Sequence, residues 1–453
     1  MKKDILIIGG GPAGVVAAIT AKKHYPSKQI TLIRKNEKGV VPCGIPYIFQ
    51  RLNSVEQNLM PDKSLLDNGI ELIIKEAKEI KANEKEIIFE NGDAINYDKL
   101  ILAIGSISQP ISIPGIEKEN VWLVKKDYDY LEKFREAVLE SKNVVIIGGG
   151  FIGVEFAEEL SSIEGLNVSI VEKLDHCLIT NFDEEFALAA EEKLINKGVK
   201  ILNNKTVKEI KGEAKVESIE LDSGEELQAD LVILSIGAKP NIELAQKAGI
   251  KVTEKSGIAV DEYLKTNIED IYAIGDCAQT KDFITGKDVP MMLASVATTE
   301  ARIVASNLYQ LEIIKGNKGN IGAFSTFVDG LAIGVTGLTE KKAKEEKIDY
   351  ITGEAEAPNH HPASLPGTEK IKVKLIFSKS SENLLLGGEI MGPESAGEML
   401  NILSLAIQQK VSLFDFNNWQ IATHPLLTAP PTAYPLISAA QSALLKLKTN
   451  SII

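Results

Sequence analysis

The chain has 453 residues, 44% of them hydrophobic and 25% charged, more than a single core organises and in keeping with roughly two to four globular domains. Its net charge of −13 and pI near 5.2 exclude nucleic acid as a partner, because binding phosphates requires a basic face. No basic start followed by an apolar stretch marks a signal peptide and no apolar run is long enough for a membrane span, so no membrane partner is expected and the chain reads as cytoplasmic.

Residues 3–9 read as a buried parallel strand that runs into Gly9-Gly10-Gly11-Pro12-Ala13-Gly14. A helix is expected over 12–24, packing through Ala13, Val16, Ala17 and Ala21, and a strand over 30–33. This is a β-α-β unit. Gly9 makes the tight turn, Gly11 lets backbone approach a pyrophosphate, and Gly14 lets helix and strand pack closely. The helix start adds free N–H groups and positive partial charge. A glycine-rich turn without a ligand is the rival reading, and the flanking strand and helix weigh against it. A carboxylate is expected at the end of the second strand to accept ribose hydroxyls, but Arg34 stands there. Either another group contacts that ribose, or the arginine faces phosphate or solvent.

Next comes Val41-Pro42-Cys43-Gly44-Ile45-Pro46-Tyr47. Cys43, Cys177 and Cys277 form no C-x-x-C pair and no metal-ligand spacing, so a disulfide framework does not fit. A lone cysteine is most often a small buried hydrophobe. Two further apolar strands, 100–104 and 231–236, stop at Gly105 and Gly237, each with a proline shortly after (Pro110, Pro240).

The first plan then repeats. A strand over 143–148 runs into Gly148-Gly149-Gly150-Phe151-Ile152-Gly153, with a helix over 151–163 and a strand over 168–171. Here the ribose position is Glu172, nineteen positions after Gly153. Its carboxylate accepts the 2′-OH of NADH and repels the 2′-phosphate of NADPH, a preference tempered by Lys173. Two such turns argue for two dinucleotides in one chain, with electrons passing between them. The second unit reads as an insertion, residues 118–244, in a first domain made of 1–117 and 245–322. A third domain, 323–453, carries an alternating Lys370–Leu375 segment expected in a half-exposed antiparallel sheet, helices over 394–410 and 433–447, and a frayed tail after Leu445. The fold class is α/β: two Rossmann-like dinucleotide-binding domains plus a C-terminal α+β dimerisation domain.

The stretch Thr266-Asn267-Ile268-Glu269-Asp270-Ile271-Tyr272-Ala273-Ile274-Gly275-Asp276 resembles the second flavin motif of the pyridine nucleotide–disulfide oxidoreductases. With both turns and both strand ends, the resemblance covers residues 1 to about 310. It implies FAD in the first unit, with Pro42, Ala103, Gly105 and Gly275 around it and Asp276 on the ribityl hydroxyls. It implies NADH in the second, with Ile152, Glu155 and Gly237 around it and Glu155 near the nicotinamide. The C-G-x-P context of the one cysteine resembles the single-cysteine branch: coenzyme A-disulfide and persulfide reductases, NADH oxidases and peroxidases. Cys43 is then the redox thiol, while Cys177 and Cys277 are expected to be packed.

The oxidases and peroxidases place a histidine where this chain has Pro12. The coenzyme A-disulfide reductases carry two C-terminal tyrosines that this chain replaces, one by Leu365 in His360-His361-Pro362-Ala363-Ser364-Leu365-Pro366-Gly367, the other in Ala422-Thr423-His424-Pro425-Leu426. His424-Pro425 is similar to the two-cysteine branch, where a partner-subunit histidine is the acid–base; the Glu that follows it there is Ala429 here. His360 and His361, neighbours expected on opposite faces of a strand, are weaker candidates. Lys22 and Lys23 stand where basic residues meet coenzyme A phosphates, or on a solvated helix face. The reading is a homodimeric FAD-dependent NAD(P)H oxidoreductase passing electrons through Cys43 to a small disulfide, persulfide or polysulfide, coenzyme A-linked substrates included, with His424 as proton donor. The alternatives are an NADH oxidase or peroxidase cycling a Cys43 sulfenate, an electron transferase to a rubredoxin- or ferredoxin-type protein, and a flavin-holding scaffold.

Overall fold

The computed structural model describes residues 2–109, 111–314 and 319–450; Pro110 lies outside the described residues. At its centre is a parallel core in which Lys2–Ile8 pairs with Ile30–Arg34 on one side and Ala94–Leu102 on the other. Ile5, Leu6 and Ile7 are fully buried because both faces are covered, which is why the strand reads as an unbroken apolar run. One face packs on Pro12–His24 and Ala294–Ser306, the other on a cluster including Ile80, Ile87 and Ile250. Ile271–Ala273 adds in parallel to Ala94–Leu102, which brings the segment before Asp276 beside the first glycine turn.

The second sheet is all parallel, in the order Lys200–Leu202, Asn167–Val171, Asn143–Ile147, Leu231–Leu234, Val121–Leu123. A short antiparallel pairing of Ser106–Ser108 with Ala238–Pro240 ties the strand exits of the two sheets together. The C-terminal sheet is antiparallel, ordered Ala323–Val328, Leu331–Gly337, Leu385–Gly392, Lys370–Ser378, Tyr350–Pro358, and Ser395–Gln408 and Pro435–Asn450 pack on it.

Several expectations need correction. The strand Lys370–Ser378 is exposed only toward its start: Lys370 is exposed, but Lys374 is 6% exposed and pairs with Asp183 at 2.8 Å and Glu340 at 2.7 Å. The second face is covered from outside the sheet, which alternation along one strand cannot reveal. The final helix continues to Asn450 rather than fraying after Leu445. The helix after the second turn stops at Leu160, where Ser161 and Ser162 hydroxyls bond back to the Glu158 carbonyl. The strands before Gly105 and Gly237 end earlier, at Leu102 and Leu234. Val16 is only half-buried; Ala18 joins Ala13, Ala17 and Ala21 on the packing side. His360 and His361 follow the strand Tyr350–Pro358 in a turn, so strand alternation does not orient them.

Candidate functional site

The two glycine turns have the same backbone. Gly9 and Gly148 both have positive φ (+122° and +104°), and the helix-entry residues Gly11 and Gly150 are both extended, at φ −78° and −74°. A Cβ on Gly14 would lie 1.9 Å from the Gly9 carbonyl oxygen, and one on Gly153 2.0 Å from that of Gly148. At Gly11 and Gly150 it would meet nothing within 4 Å. The third glycine of each turn is therefore packed, and the second is open to approach. Neither helix start has a side-chain cap, which leaves its first N–H groups facing that opening. Both turns fit a pyrophosphate.

Both turns line one cavity of about 1300 Å³. Among the anticipated residues, Gly9, Gly11, Pro12, Ala13, Pro42, Cys43, Ala103, Gly105 and Asp276 line its first part. Gly148, Gly150, Ile152, Glu155, Glu172 and Gly237 line the second. Gly14, Gly153 and Gly275 do not line it; Gly275 packs between Ala13 and Ala297, with its N–H on Glu300.

Arg34 does not line the cavity and is turned away from solvent. It is 7% exposed; Nη1 and Nη2 grip Asp62 at 2.5 and 2.7 Å, Nε donates to the Asn36 carbonyl at 2.9 Å, and Nη2 also donates to that of Glu37. Its stem lies under Gly10, where a Cβ would be 2.6 Å from Arg34 Cδ. The guanidinium thus clamps the loop that leads to Cys43.

Cys43 is exposed to the cavity, second in the short 3-10 helix Pro42–Ile48. Burial pushes its thiol up, the charges of Glu155 and Asp276 push the same way, and Lys126 opposes them. Asp276 accepts from Ser106 Oγ at 2.7 Å and Lys126 Nζ at 3.4 Å. Glu155 accepts from Thr326 Oγ1 at 3.2 Å, and burial raises its carboxyl to about 7. Glu172 is pinned beside the second turn by the N–H groups of Gly149 (2.6 Å) and Leu174 (2.7 Å), with Lys173, His176 and Lys205 on the same stretch of wall. Cys177 and Cys277 are buried, and burial pushes the Cys277 thiol up to about 12.

His424 is exposed, on a loop of the C-terminal part, outside the cavity of its own chain. Its Nδ1 accepts from the Leu426 N–H at 3.2 Å, which puts the proton of the neutral ring on Nε2. His361 joins this loop through its N–H to the Pro425 carbonyl (3.1 Å) and its Nδ1 to that of Thr428 (3.2 Å). Lys22 donates to the Pro26 and Lys28 carbonyls. Sequence reasoning missed Lys126, Ser106 and Thr326; Ser106 directly follows Gly105, so the strand end there was the signal for it, whereas Lys126 and Thr326 sit at no motif spacing and reach the site through tertiary contact. Among the described residues no His/Cys/Asp/Glu cluster is arranged for a metal, and no helix is long and apolar enough to cross a membrane.

Residues 3–301 match the family described as pyridine nucleotide-disulphide oxidoreductase, and residues 324–434 its dimerisation domain. An NAD(P)H coenzyme A polysulfide/persulfide reductase of Pyrococcus horikoshii is 34% identical over 87% of this chain and 88% of that protein. An NADH oxidase of Methanocaldococcus jannaschii is 32% identical over 98% of this chain and 99% of that protein. Among solved structures, an NAD-dependent persulfide reductase from A. fulgidus aligns with a TM-score of 0.91 and 30% identity, over 99% of this chain and 84% of that one.

Proposed function

The chain belongs to the pyridine nucleotide-disulphide oxidoreductase family, and from that premise we propose that it is a reductase of small disulfides, persulfides or polysulfides that draws electrons from NADH and works through Cys43. As a family member it is an FAD-dependent NAD(P)H oxidoreductase. The observation that carries the proposal is the single cavity joining both glycine turns to the exposed Cys43 sulfur. FAD would be held by the first turn, with Pro42, Ala103 and Gly105 alongside and Asp276 accepting from a diol; the nicotinamide dinucleotide would be held by the second. When bound, a flavin supplies a two-electron relay between a nicotinamide and a sulfur. The pinned Glu172 carboxylate supports NADH over NADPH, since a 2′-phosphate would meet its charge. The parallel pairing of Ile271–Ala273 with Ala94–Leu102 supports a discontinuous FAD domain of 1–117 and 245–322 around 118–244, with 323–453 as the dimerisation domain.

Cys43 supplies the nucleophilic sulfur, and the Lys126 ammonium favours its ionised form. His424 of a second copy is proposed to protonate the departing thiol, because its own chain holds it outside the cavity with Nε2 free to carry a proton. The named relatives support persulfide or polysulfide substrates, coenzyme A-linked ones among them.

Anaerobic titration with NADH tests the proposal. Full reduction should need about two equivalents, with a long-wavelength thiolate-to-flavin band after the first. One equivalent without such a band, in a preparation never exposed to reductant, would remove Cys43 as a redox centre. The second reading, an oxidase cycling a Cys43 sulfenate, is favoured by the similarity to the M. jannaschii protein. Rapid NADH consumption in air, with water as product and no gain on adding persulfide, would select it.

A further inference from the structure

We propose that Asn58 is the positioning residue for the Cys43 sulfur: its buried side chain fixes the turn that carries the cysteine and so sets where the sulfur stands in the cavity. This rests on the reductase reading above, in which Cys43 is the redox thiol. Asn58 ends the short turn Glu56–Asn58 and is 3% exposed. Around it two backbone stretches run antiparallel. Val40 bridges to Leu59, the Val41 N–H donates to the Asn58 carbonyl at 2.9 Å, and the Met60 N–H donates to the Gly39 carbonyl at 2.9 Å. The Asn58 side chain adds a further bond, its Nδ2 donating to the Val41 carbonyl at 3.1 Å.

That carbonyl has a second task. It accepts the Gly44 N–H at 3.0 Å, which closes the first turn of the helix Pro42–Ile48 with Cys43 inside it. A carbonyl oxygen has two lone pairs, and here Gly44 and Asn58 take one each. Both polar groups of Val41 are therefore tied to Asn58. Burial does not hold Val41 in their place, because it is 38% exposed. Pro42, between Val41 and Cys43, has no N–H to give. On the far side of Cys43 the Asn58 amide makes a second contact. A Cβ on Gly44 would lie 1.9 Å from Asn58 Oδ1 and 2.9 Å from its Cγ, so the Gly44 backbone rests on the amide. One side chain thus touches Val41 and Gly44, the residues that bracket Pro42 and Cys43. It does so from behind: Pro42 and Cys43 line the cavity and Asn58 does not.

Attack by a sulfur needs the reacting atoms about 3–3.5 Å apart and aligned, and a displacement of about 1 Å can cost about 100-fold in rate. Hydride transfer from NADH to a flavin does not involve the sulfur. An Asn58 variant should therefore separate the two halves of the reaction.

The test uses the full-length, FAD-loaded protein. The first variant is Asn58→Leu, close in volume but without a donor; Asn58→Ser, smaller and polar, takes its place if the first does not accumulate as a flavoprotein. In either, flavin content, KM for NADH and NADH:ferricyanide turnover, which bypasses Cys43, should stay near the wild-type values. The long-wavelength band that follows the first equivalent of NADH should lose at least half of its intensity. With persulfide, kcat should fall by about 10- to 100-fold. Gly44→Ala should reproduce these losses, and adding it to Asn58→Ala should cost nothing further, because its methyl then finds the amide gone. A wild-type band with wild-type persulfide turnover in the Asn58 variants overturns the proposal. So does a fall in ferricyanide turnover in step with persulfide turnover, which would make Asn58 general support for the first unit. Fully additive losses in the Asn58→Ala, Gly44→Ala pair overturn it as well. The reductase reading fails by a different sign, full persulfide turnover by Cys43→Ser. The band needs no persulfide, so it reads the place of the sulfur in either case.

Discussion

Gly11 and Gly14 sit three residues apart in one turn yet do different work. A methyl group at Gly14 collides with the Gly9 carbonyl, whereas one at Gly11 meets no protein atom. Gly14→Ala should therefore unfold or severely destabilise the first unit. Gly11→Ala should keep apo-protein stability within about 0.5 kcal/mol of wild type and lose bound flavin, because its methyl occupies the line of approach to the pyrophosphate. Flavin absorbance per polypeptide, beside thermal unfolding of the apo-protein, reads both. Arg34 makes a second case at this scale. It grips Asp62 with two nitrogens and shares its other bonds with the Cys43 loop. Asp62→Ala should cost about 3 kcal/mol by stranding a guanidinium that is nearly out of water. The double variant with Arg34→Ala should cost less than the two single changes together, measured by denaturant unfolding.

At the scale of elements, the helix that opens the second nucleotide unit is fastened to the Cys43 segment through Arg51, whose side chain reaches Glu158 and Glu159, together with the Gln50 and Arg51 N–H groups on Glu159 and the Phe49–Phe156 ring contact. Glu158 and Glu159 are 2% and 1% exposed, and Arg51 reaches both from a partly exposed position. Arg51→Ala leaves two carboxylates in the junction, with Lys197 answering only Glu158. It should cost about 2–3 kcal/mol, discounted from a fully buried pair because Arg51 keeps contact with solvent. The pH sign follows from Glu158, whose hydrogen bonds to Arg51 and Lys197 outweigh burial and hold its pKa below the ordinary glutamate value. Its stabilising contribution is present above that ordinary value and is lost as pH falls through the lowered one. Thermal scans should find the Arg51→Ala deficit at pH 7 shrinking below pH 4.

At the scale of the whole molecule, Asp183 joins the second sheet's surroundings to the C-terminal sheet. Its carboxylate accepts from the N–H groups of Glu340 (3.2 Å) and Lys341 (3.0 Å) and from Lys374, while its own N–H goes to Glu389 Oε1 at 2.7 Å. Glu389 is fully buried, its Oε2 meets no donor among the described residues, and burial beside Asp183 pushes its carboxyl up to about 9. A raised carboxyl contributes full stability below its unfolded value near 4.5 and loses it progressively as pH climbs toward the folded value. Wild-type thermal stability should therefore decline between pH 5 and 9. Glu389→Gln should remove that decline, matching wild type near pH 5 and exceeding it by up to a few kcal/mol at pH 8.

What the sequence determined by itself is local and repetitive. Two apolar strands, each followed by the same glycine turn and a helix, were legible because strand burial, turn geometry and helix entry are all written within about 30 residues. Glu172 stood out for the same reason, at a fixed offset from the second turn, whereas Asp276 and Cys43 stood out because the residues around them resemble motifs of the family. The tertiary structure decided everything that depends on residues far apart in the chain. It turned Arg34 away from the cavity toward Asp62, buried Lys374 against Asp183, joined both turns in one cavity, and set Glu155 against the Thr326 hydroxyl while giving Arg51 to its neighbours. No periodicity encodes these, because the charge state of a group is set by the solvent and partners that folding removes or supplies, and those partners come from every part of the chain.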